Sequence, residues 1–333
     1  MLKDRLSFAG AGGVAAFAIA LPFLTDNIFH LSVAALALIN MLLALGMNAV
    51  MGHTGLIHAG YAAFYGVGGY AVAVAMVWWD VTFWLALPAA CLLAAIVAVA
   101  IGVPAIRVSG IYYVLVMLGF GEILRITATN TGAVGGPDGV FGIPRPSIGE
   151  FVIRSPEHIY WLILAAVLLS FIAMHRLANS RVVRAWNYLR EDETAATVLG
   201  VSPVWGKLQA TFLGGLWAGM GGAFFALRQT AVAPSSFTFF DSFIVIIIIA
   251  LGGLRSMRGV ILGTLAVIVL PELLRPVQEY RFIAFGLAII LMMRFRPSGL
   301  WPGDVGKRYK KTADDIVDEL GQAPPEPVEE ASA

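Results

Sequence analysis

The sequence predicts an all-α integral membrane protein with about ten transmembrane helices, and three observations predict it. The chain of 333 residues is 59% hydrophobic and only 13% charged, where ordinary globular chains are about 45–50% apolar and about 25% charged. Its mean hydropathy is +0.82. Ten stretches approach the roughly 20 apolar residues that a bilayer crossing needs. The net charge of +1 gives no electrostatic case for nucleic acid. Cys91 is the only cysteine, which excludes an internal disulfide or a cysteine metal cluster. Set in an apolar run, it reads as an inert buried thiol.

The stretches follow in order. The run 8–24, after Lys3 and Arg5, reads as a retained first span, because no small-residue cleavage site precedes further soluble sequence. Spans at about 29–50, 56–79, 82–103, 111–129 and 158–176 come next, then 208–228, 241–254, 259–274 and 280–295. Several are short or glycine-broken, so re-entrant or tilted segments are expected, and eight or nine spans are the alternatives. Gly66, Gly68 and Gly69 in one span, and Gly214, Gly215, Gly219, Gly221 and Gly222 in another, let helix backbones approach closely in lipid. Gly215 and Gly219 form a small-xxx-small pattern that serves packing within the chain or against another subunit. Glu122 with Arg125, and Glu272 with Arg275, read as local ion pairs toward span ends, and Asp241 favours the helix it opens.

The positive-inside rule orients these spans. Lys3 and Arg5 place the N-terminus in the cytoplasm. Six spans return the chain there at Arg176, Arg181, Arg184 and Arg190, two more at Arg255 and Arg258, and a last pair at Arg294, Arg296, Lys307, Arg308, Lys310 and Lys311. Both termini are therefore cytoplasmic, although Arg145, Arg154 and Arg281 fall on the other side. Residues 1–302 form the transmembrane domain, and 303–333 read as a disordered cytoplasmic tail with an acidic, proline-containing end. The longest connection on the opposite side, about 130–157, is rich in Gly and Pro. Gly135, Gly136 and Gly139 in it suit positive φ.

No catalytic apparatus is visible. The two Gly-Lys pairs, Gly206-Lys207 and Gly306-Lys307, lack the Ser or Thr and the upstream glycine of a phosphate-binding loop. His53 and His58 flank Thr-Gly-Leu-Ile at a spacing uncommon for metal ligands, so no metal site is expected. The chain is read as not an enzyme and as binding no cofactor. The spans lack a string of buried carboxylates, which argues weakly against a proton-coupled carrier.

One polar, helix-patterned segment interrupts the apolar runs, Ser180 to Gly206, inside a loop spanning about 178–207. Val182, Val183, Trp186 and Leu189 fall on one side of an amphipathic stretch. Glu193, Thr194, Ala195 and Ala196 follow, then Gly200 for a sharp exit turn and Ser202-Pro203 to open the next helix. The segment either seats its small alanines in a groove of a partner or lies on the membrane surface.

Three blocks resemble the permease subunits of bacterial ABC importers for branched-chain amino acids, of the LivM type. They are GMNAVMGHTGLIHAGYAAFYGVGGY (46–70), SGIYYVLVMLGFGEILRITATNTGAVGGPDGVFGIP (109–144), and the region from RAWNYLREDETAATVLG through LRQTAVAPSSFTFFDSFIVIIIIALGGLRSMRGVILG to RFRPSGLWP. The resemblance runs from about Asn40 to Pro302. It implies a cytoplasmic coupling loop of pattern Glu-Ala-Ala-x-x-x-Gly that docks on an ATPase. Thr194, Ala195, Ala196 and Gly200 match that pattern, with threonine at the glutamate position and Glu193 one residue earlier.

The same resemblance implies a multi-pass protein of the bacterial inner membrane. Its partners would be a second, homologous permease of the LivH type, two cytoplasmic ATPase subunits that use ATP, and a periplasmic amino-acid-binding protein. The expected function is the translocation pathway for leucine, isoleucine and valine. Gly52, Thr54, Gly55, His58, Tyr61 and Phe64 are candidates for that pathway, with packing an equal reading. Gly135, Gly136, Asp138 and Gly139, together with Val232–Phe240, are candidates for contact with the binding protein. A urea or short-chain amide importer permease is the rival within the class, and an autonomous secondary carrier the rival outside it.

Overall fold

The computed structural model describes residues 27–148, 151–153 and 155–273, with Pro22 and residues 286, 290, 294–296 and 299–301 besides. The expected first span 8–24, apart from Pro22, most of the expected last span 280–295, and the tail 303–333 lie outside the described residues.

Among the described residues, seven helices are long and apolar enough to cross a membrane. Helix α1 (Ile28–Met47) runs on into a π-helical segment, Asn48–Thr54. α2 (Tyr61–Trp78), α3 (Phe83–Ala105), α4 (Ile111–Asn130) and α5 (Pro156–Ala178) follow. Two short helices, α6 (Arg181–Glu191) and α7 (Glu193–Val198), then precede the long α8 (Pro203–Gln229). α9 (Phe239–Gly252), with the 3-10 turn Pro234–Ser236 before it, is the seventh span. The expected span 259–274 is a continuous helix with a π segment inside it: α10 (Met257–Thr264), the π segment Leu265–Val269, and α11 (Leu270–Leu273).

Local chemistry sets several of these ends. Asn27 caps α1 through its side chain, accepting from Phe29 N at 3.0 Å. Asp241 does more than favour the helix dipole. Its carboxylate accepts from the Thr238 amide at 2.8 Å and hydroxyl at 2.7 Å, which closes a capping box on α9. α8 begins with Pro203 in its first turn, but the Ser202 side chain makes no capping bond, contrary to the role expected of it.

α8 is the axis of the fold, and small residues make it so. Gly215 and Gly219 face Ala94, Ala95 and the Cys91 backbone on α3. A Cβ at Gly68 of α2 would overlap the backbone of Gly219, and one at Gly222 would overlap Tyr65 and Gly69. The Gly215–Gly219 pattern therefore packs within this chain. In lipid the apolar surface gives little drive for association, so backbone proximity and van der Waals contact hold these helices together.

Successive spans alternate in direction. The connections 55–60, 106–110, 179–202 and 253–256 gather at one end, and 79–82, 131–155 and 230–238 at the other. The first is the basic end, flanked by Arg107, Arg176, Arg181, Arg184, Arg190, Lys207, Arg255 and Arg258. At the opposite end Trp78, Trp79 and Trp84 are exposed, as an aromatic belt at a lipid–water boundary would be. There β1 (Val140–Phe141) pairs antiparallel with β4 (Ala231–Val232), and β2 (Ser147–Ile148) with β3 (Phe151–Val152).

Candidate functional site

The polar segment between α5 and α8 folds back as two helices at the basic end. α6 is amphipathic, and Val183, Trp186 and Leu189 are its buried face. Val182, expected on that face, is exposed instead, because one residue earlier on a helix points about 100° away. Ser180 caps α6 by accepting from Val183 N at 3.3 Å.

Asp192 separates α6 from α7 and caps the second helix. Its carboxylate accepts from Thr194 N at 2.8 Å and Ala195 N at 2.9 Å. Glu193 turns the other way, and Lys207 on α8 donates to it at 2.7 Å. α7 ends in a Schellman arrangement: Gly200 N donates to Thr197 O and Val201 N to Ala196 O, with Gly200 at φ +82°. Ala196 is 1% exposed and packs against its own chain, whereas Ala195 is exposed. The outward surface is Thr194, Ala195 and Thr197, followed by Val198 and Leu199, which are 84% and 71% exposed. With Trp205 exposed on the first turn of α8, these side chains form an exposed apolar patch at the basic end.

The segment is tied to the spans at one carbonyl. Arg190 Nη1 donates to Gly52 O in the π-helical segment of α1, and Arg255 Nε donates to the same oxygen at 3.2 Å. Arg255 reaches it from the connection between α9 and α10, in a left-handed conformation with φ +62°. Its amide donates to the side-chain oxygen of buried Asn48 at 3.1 Å, and its guanidinium reaches Glu191 at 3.5 Å. A non-glycine residue with positive φ is uncommon and here is held by partners on two sides. Burial, then the like charge of Arg255, pushes the Arg190 guanidinium down from its ordinary value, and Glu191 offsets part of this. His53 adds a further tie, its Nδ1 3.0 Å from Asn187 Oδ1 on α6.

Two of the residues proposed for the pathway thus meet the polar segment. Gly52 supplies the shared carbonyl, and a Cβ there would strike the Asn48 side chain. Gly55, at φ +79°, lies against the Arg190 side chain. Thr54, His58, Tyr61 and Phe64 are buried. Thr54 Oγ1 donates to Val50 O at 2.7 Å, Tyr61 Oη to Gly214 O at 2.8 Å, and His58 pairs with Tyr113 at 2.5 Å. None of these six lines the cavity between α2, α3 and α4, which Ala63, Gly66, Val67 and Tyr70 of the same block do line. Sequence reasoning did not single out Asn48, Asn187 or the joint role of Arg190 and Arg255. A buried-span asparagine and a π-helical segment carry no period that would have flagged them.

At the opposite end, the β1–β4 ladder brings together the two stretches expected to meet a binding protein. Val140 pairs with Val232 and Phe141 with Ala231. Gly135, Gly136 and Gly139 have φ of +85°, +59° and +83°. The Gly139 backbone lies against Val232 and Ala233, while Asp138 is exposed at the turn. Among the described residues no group of three or more His, Cys, Asp or Glu could hold a metal ion.

Comparison with known proteins adds the lineage. The family described as branched-chain amino acid transport system / permease component matches residues 29–293. The high-affinity branched-chain amino acid transport system permease protein LivM of Escherichia coli (strain K12) is 38% identical over 309 residues, covering 86% of this chain and 72% of that protein. The protein of the same description from Salmonella typhimurium is 37% identical over the same length and shares. A probable branched-chain amino acid transport permease protein LivM of Methanocaldococcus jannaschii is 25% identical over 238 residues, 64% of this chain and 67% of its own. No solved structure matches the chain. A match over most of the chain's length, with seven helices long and apolar enough to cross a membrane among the described residues, makes the chain a member of the branched-chain amino acid transport system permease family.

Proposed function

We propose that the chain forms the translocation pathway of an ATP-driven importer for leucine, isoleucine and valine, as the LivM-type subunit beside a LivH-type permease. Two cytoplasmic ATPases supply the energy, and a periplasmic binding protein delivers the amino acid. The observation that carries this reading is the α6–α7 segment. It offers Ala195, Val198 and Leu199 outward while Arg190 ties it to α1. A docking surface joined to a span by charged hydrogen bonds can bias that span when the docked partner changes shape. An autonomous carrier has no use for such a surface.

The clustering of arginines at the end that bears α6 and α7 supports a cytoplasmic location for that end. The β1–β4 ladder, with Asp138 at its turn, then faces the periplasm and the binding protein. ATP is bound by the partner subunits, and this chain supplies no group to its chemistry.

The test is gentle detergent extraction of a tagged copy from its native membrane, followed by mass spectrometry and by uptake competition between leucine and urea. Two P-loop ATPases and a second permease in the extract, with leucine competing and urea not, would match the proposal. Recovery of the chain alone, where control ABC complexes survive, would refute it. Competition by urea would reassign the substrate.

A further inference from the structure

A cavity of about 470 Å³ lies between α2, α3 and α4, beneath the connections that carry Thr131, Val134 and Pro234. Its size falls within the range of about 300–1,000 Å³ typical of small-molecule sites. Small and aliphatic side chains, Ala63, Val67, Ala71, Val74 and Leu93 among them, make most of its wall. Tyr70, Arg125, Thr127 and Thr131 break that wall with polar groups. Tyr70 Oη is buried and has no hydrogen-bond partner among the described residues. Arg125 of α4 lines the cavity and is held by Glu122, whose two carboxylate oxygens lie 3.0 Å from its Nε. Glu122 lines a smaller crevice next door with Gly60 and Ser242, and Phe237 borders both spaces.

These charges stand inside a 20-residue span whose ends are Ile111 and Asn130. Ionisable side chains at such depth are costly and mark substrate paths or relays. Both side chains stay about a third exposed, at 32% for Arg125 and 40% for Glu122, so neither is sealed into the packing of this chain. An apolar chamber with Arg125 on its wall, and Glu122 held to that arginine from the crevice next door, complements one chemistry closely. The carboxylate of a zwitterion meets Arg125, its ammonium meets Glu122, and a branched aliphatic side chain fills the space among the alanines and valines.

We infer that this cavity is a transit site for a zwitterionic aliphatic amino acid, with Glu122 and Arg125 reading its charged ends. The inference rests on the proposed function above. A phospholipid acyl chain would also suit the apolar wall, and the experiment separates the two occupants.

The experiment uses the whole complex in proteoliposomes, with radiolabelled leucine delivered by the binding protein. Glu122→Gln and Arg125→Gln should each cut uptake at least about tenfold, the scale of one lost charged hydrogen bond. Assembly, read as the subunit ratio of the purified complex, should match that of the unaltered complex. Ala71→Phe, which fills the cavity without touching the ion pair, should cut uptake too. The exchange Glu122→Arg with Arg125→Glu restores an ion pair of reversed order, and its uptake should remain low. Full recovery in the exchange variant, or wild-type uptake in the single variants, would overturn the inference while leaving the importer reading intact. Failure of the unaltered complex to move leucine would overturn both. Native mass spectrometry showing a phospholipid lost only in Arg125→Gln, with uptake unchanged, would assign the cavity to lipid.

Discussion

Arg190, in helix α6 at the basic end, donates to the backbone carbonyl of Gly52, 138 residues earlier in the π-helical end of α1. Arg255 donates to the same carbonyl, so one oxygen joins three parts of the chain that are distant in sequence. π-helical turns recur at functional sites because they displace a carbonyl from the regular ladder. Removing Arg190 tests the tie. A hydrogen bond from a charged group contributes about 1.5–3 kcal/mol, toward the low end where water reaches it. Arg190→Ala should raise hydrogen exchange across 181–198 and lower leucine uptake several-fold, with insertion and expression unchanged. Unaltered exchange would mean that the burial of Trp186 and Leu189 alone seats α6.

Arg255 separates strain from contact. Its left-handed backbone disfavours a side chain by about 1–2 kcal/mol. Arg255→Gly relieves that strain while deleting the guanidinium. We expect the thermal midpoint of the purified complex to hold or rise while transport falls. A drop in both would show that the contacts outweigh the strain.

The two alanines of α7 should behave differently. Ala195 is exposed and Ala196 is 1% exposed. Ala195→Leu should leave the chain's own stability unchanged and abolish copurification of the ATPase. Ala196→Leu overpacks a filled site, at a cost of about 1–3 kcal/mol, and should destabilise α7 itself. Copurification and thermal unfolding, measured on both variants, distinguish the two outcomes.

Asp192 and Glu193 divide the acidic work of the same helix. Asp192→Ala removes a cap that accepts from two amides and should cost about 0.5–2 kcal/mol, seen as faster exchange at Thr194 and Ala195. Glu193→Gln deletes an exposed pair with Lys207, for which about 0–1 kcal/mol is expected. A larger effect from Glu193 would reverse this assignment.

Glycines at helix crossings give a last test. Gly222→Val places carbon atoms into the backbone of Tyr65 and Gly69 and should prevent accumulation of the folded chain in detergent. Gly119→Ala on α4 meets nothing within 4 Å and should melt like the unaltered chain, less about 1 kcal/mol at most in either direction.

Much of this was legible before the fold was known. Composition and run length announced a helical membrane protein, and the α1 through α5 spans lie within a few residues of the apolar runs, apart from the entry to α2. That entry is later because the chain from Gly55 to Gly60 leaves its helix, packing Gly60 against Met117 and Gly121 of α4. α8 starts earlier than the apolar run because Pro203, Gly206 and Lys207 form polar opening turns that hydropathy does not register. The α6–α7 segment stood out through its charge, and Gly200 through the turn it had to make.

What the chain determined by itself is local: the spans, set by apolar length; the amphipathic α6; the basic clustering at one end; and the left-handed exit at Gly200. Tertiary structure alone decided which groups meet. It brought Arg190 and Arg255 to one carbonyl, turned Ala196 inward and Ala195 outward, and joined 140–141 to 231–232. It also gathered Tyr70 and Arg125 around one chamber, where sequence had shown only an ion pair three residues apart. Periodicity reports the face on which a residue lies, and long-range packing determines what that face touches, so no local pattern could have carried these pairings.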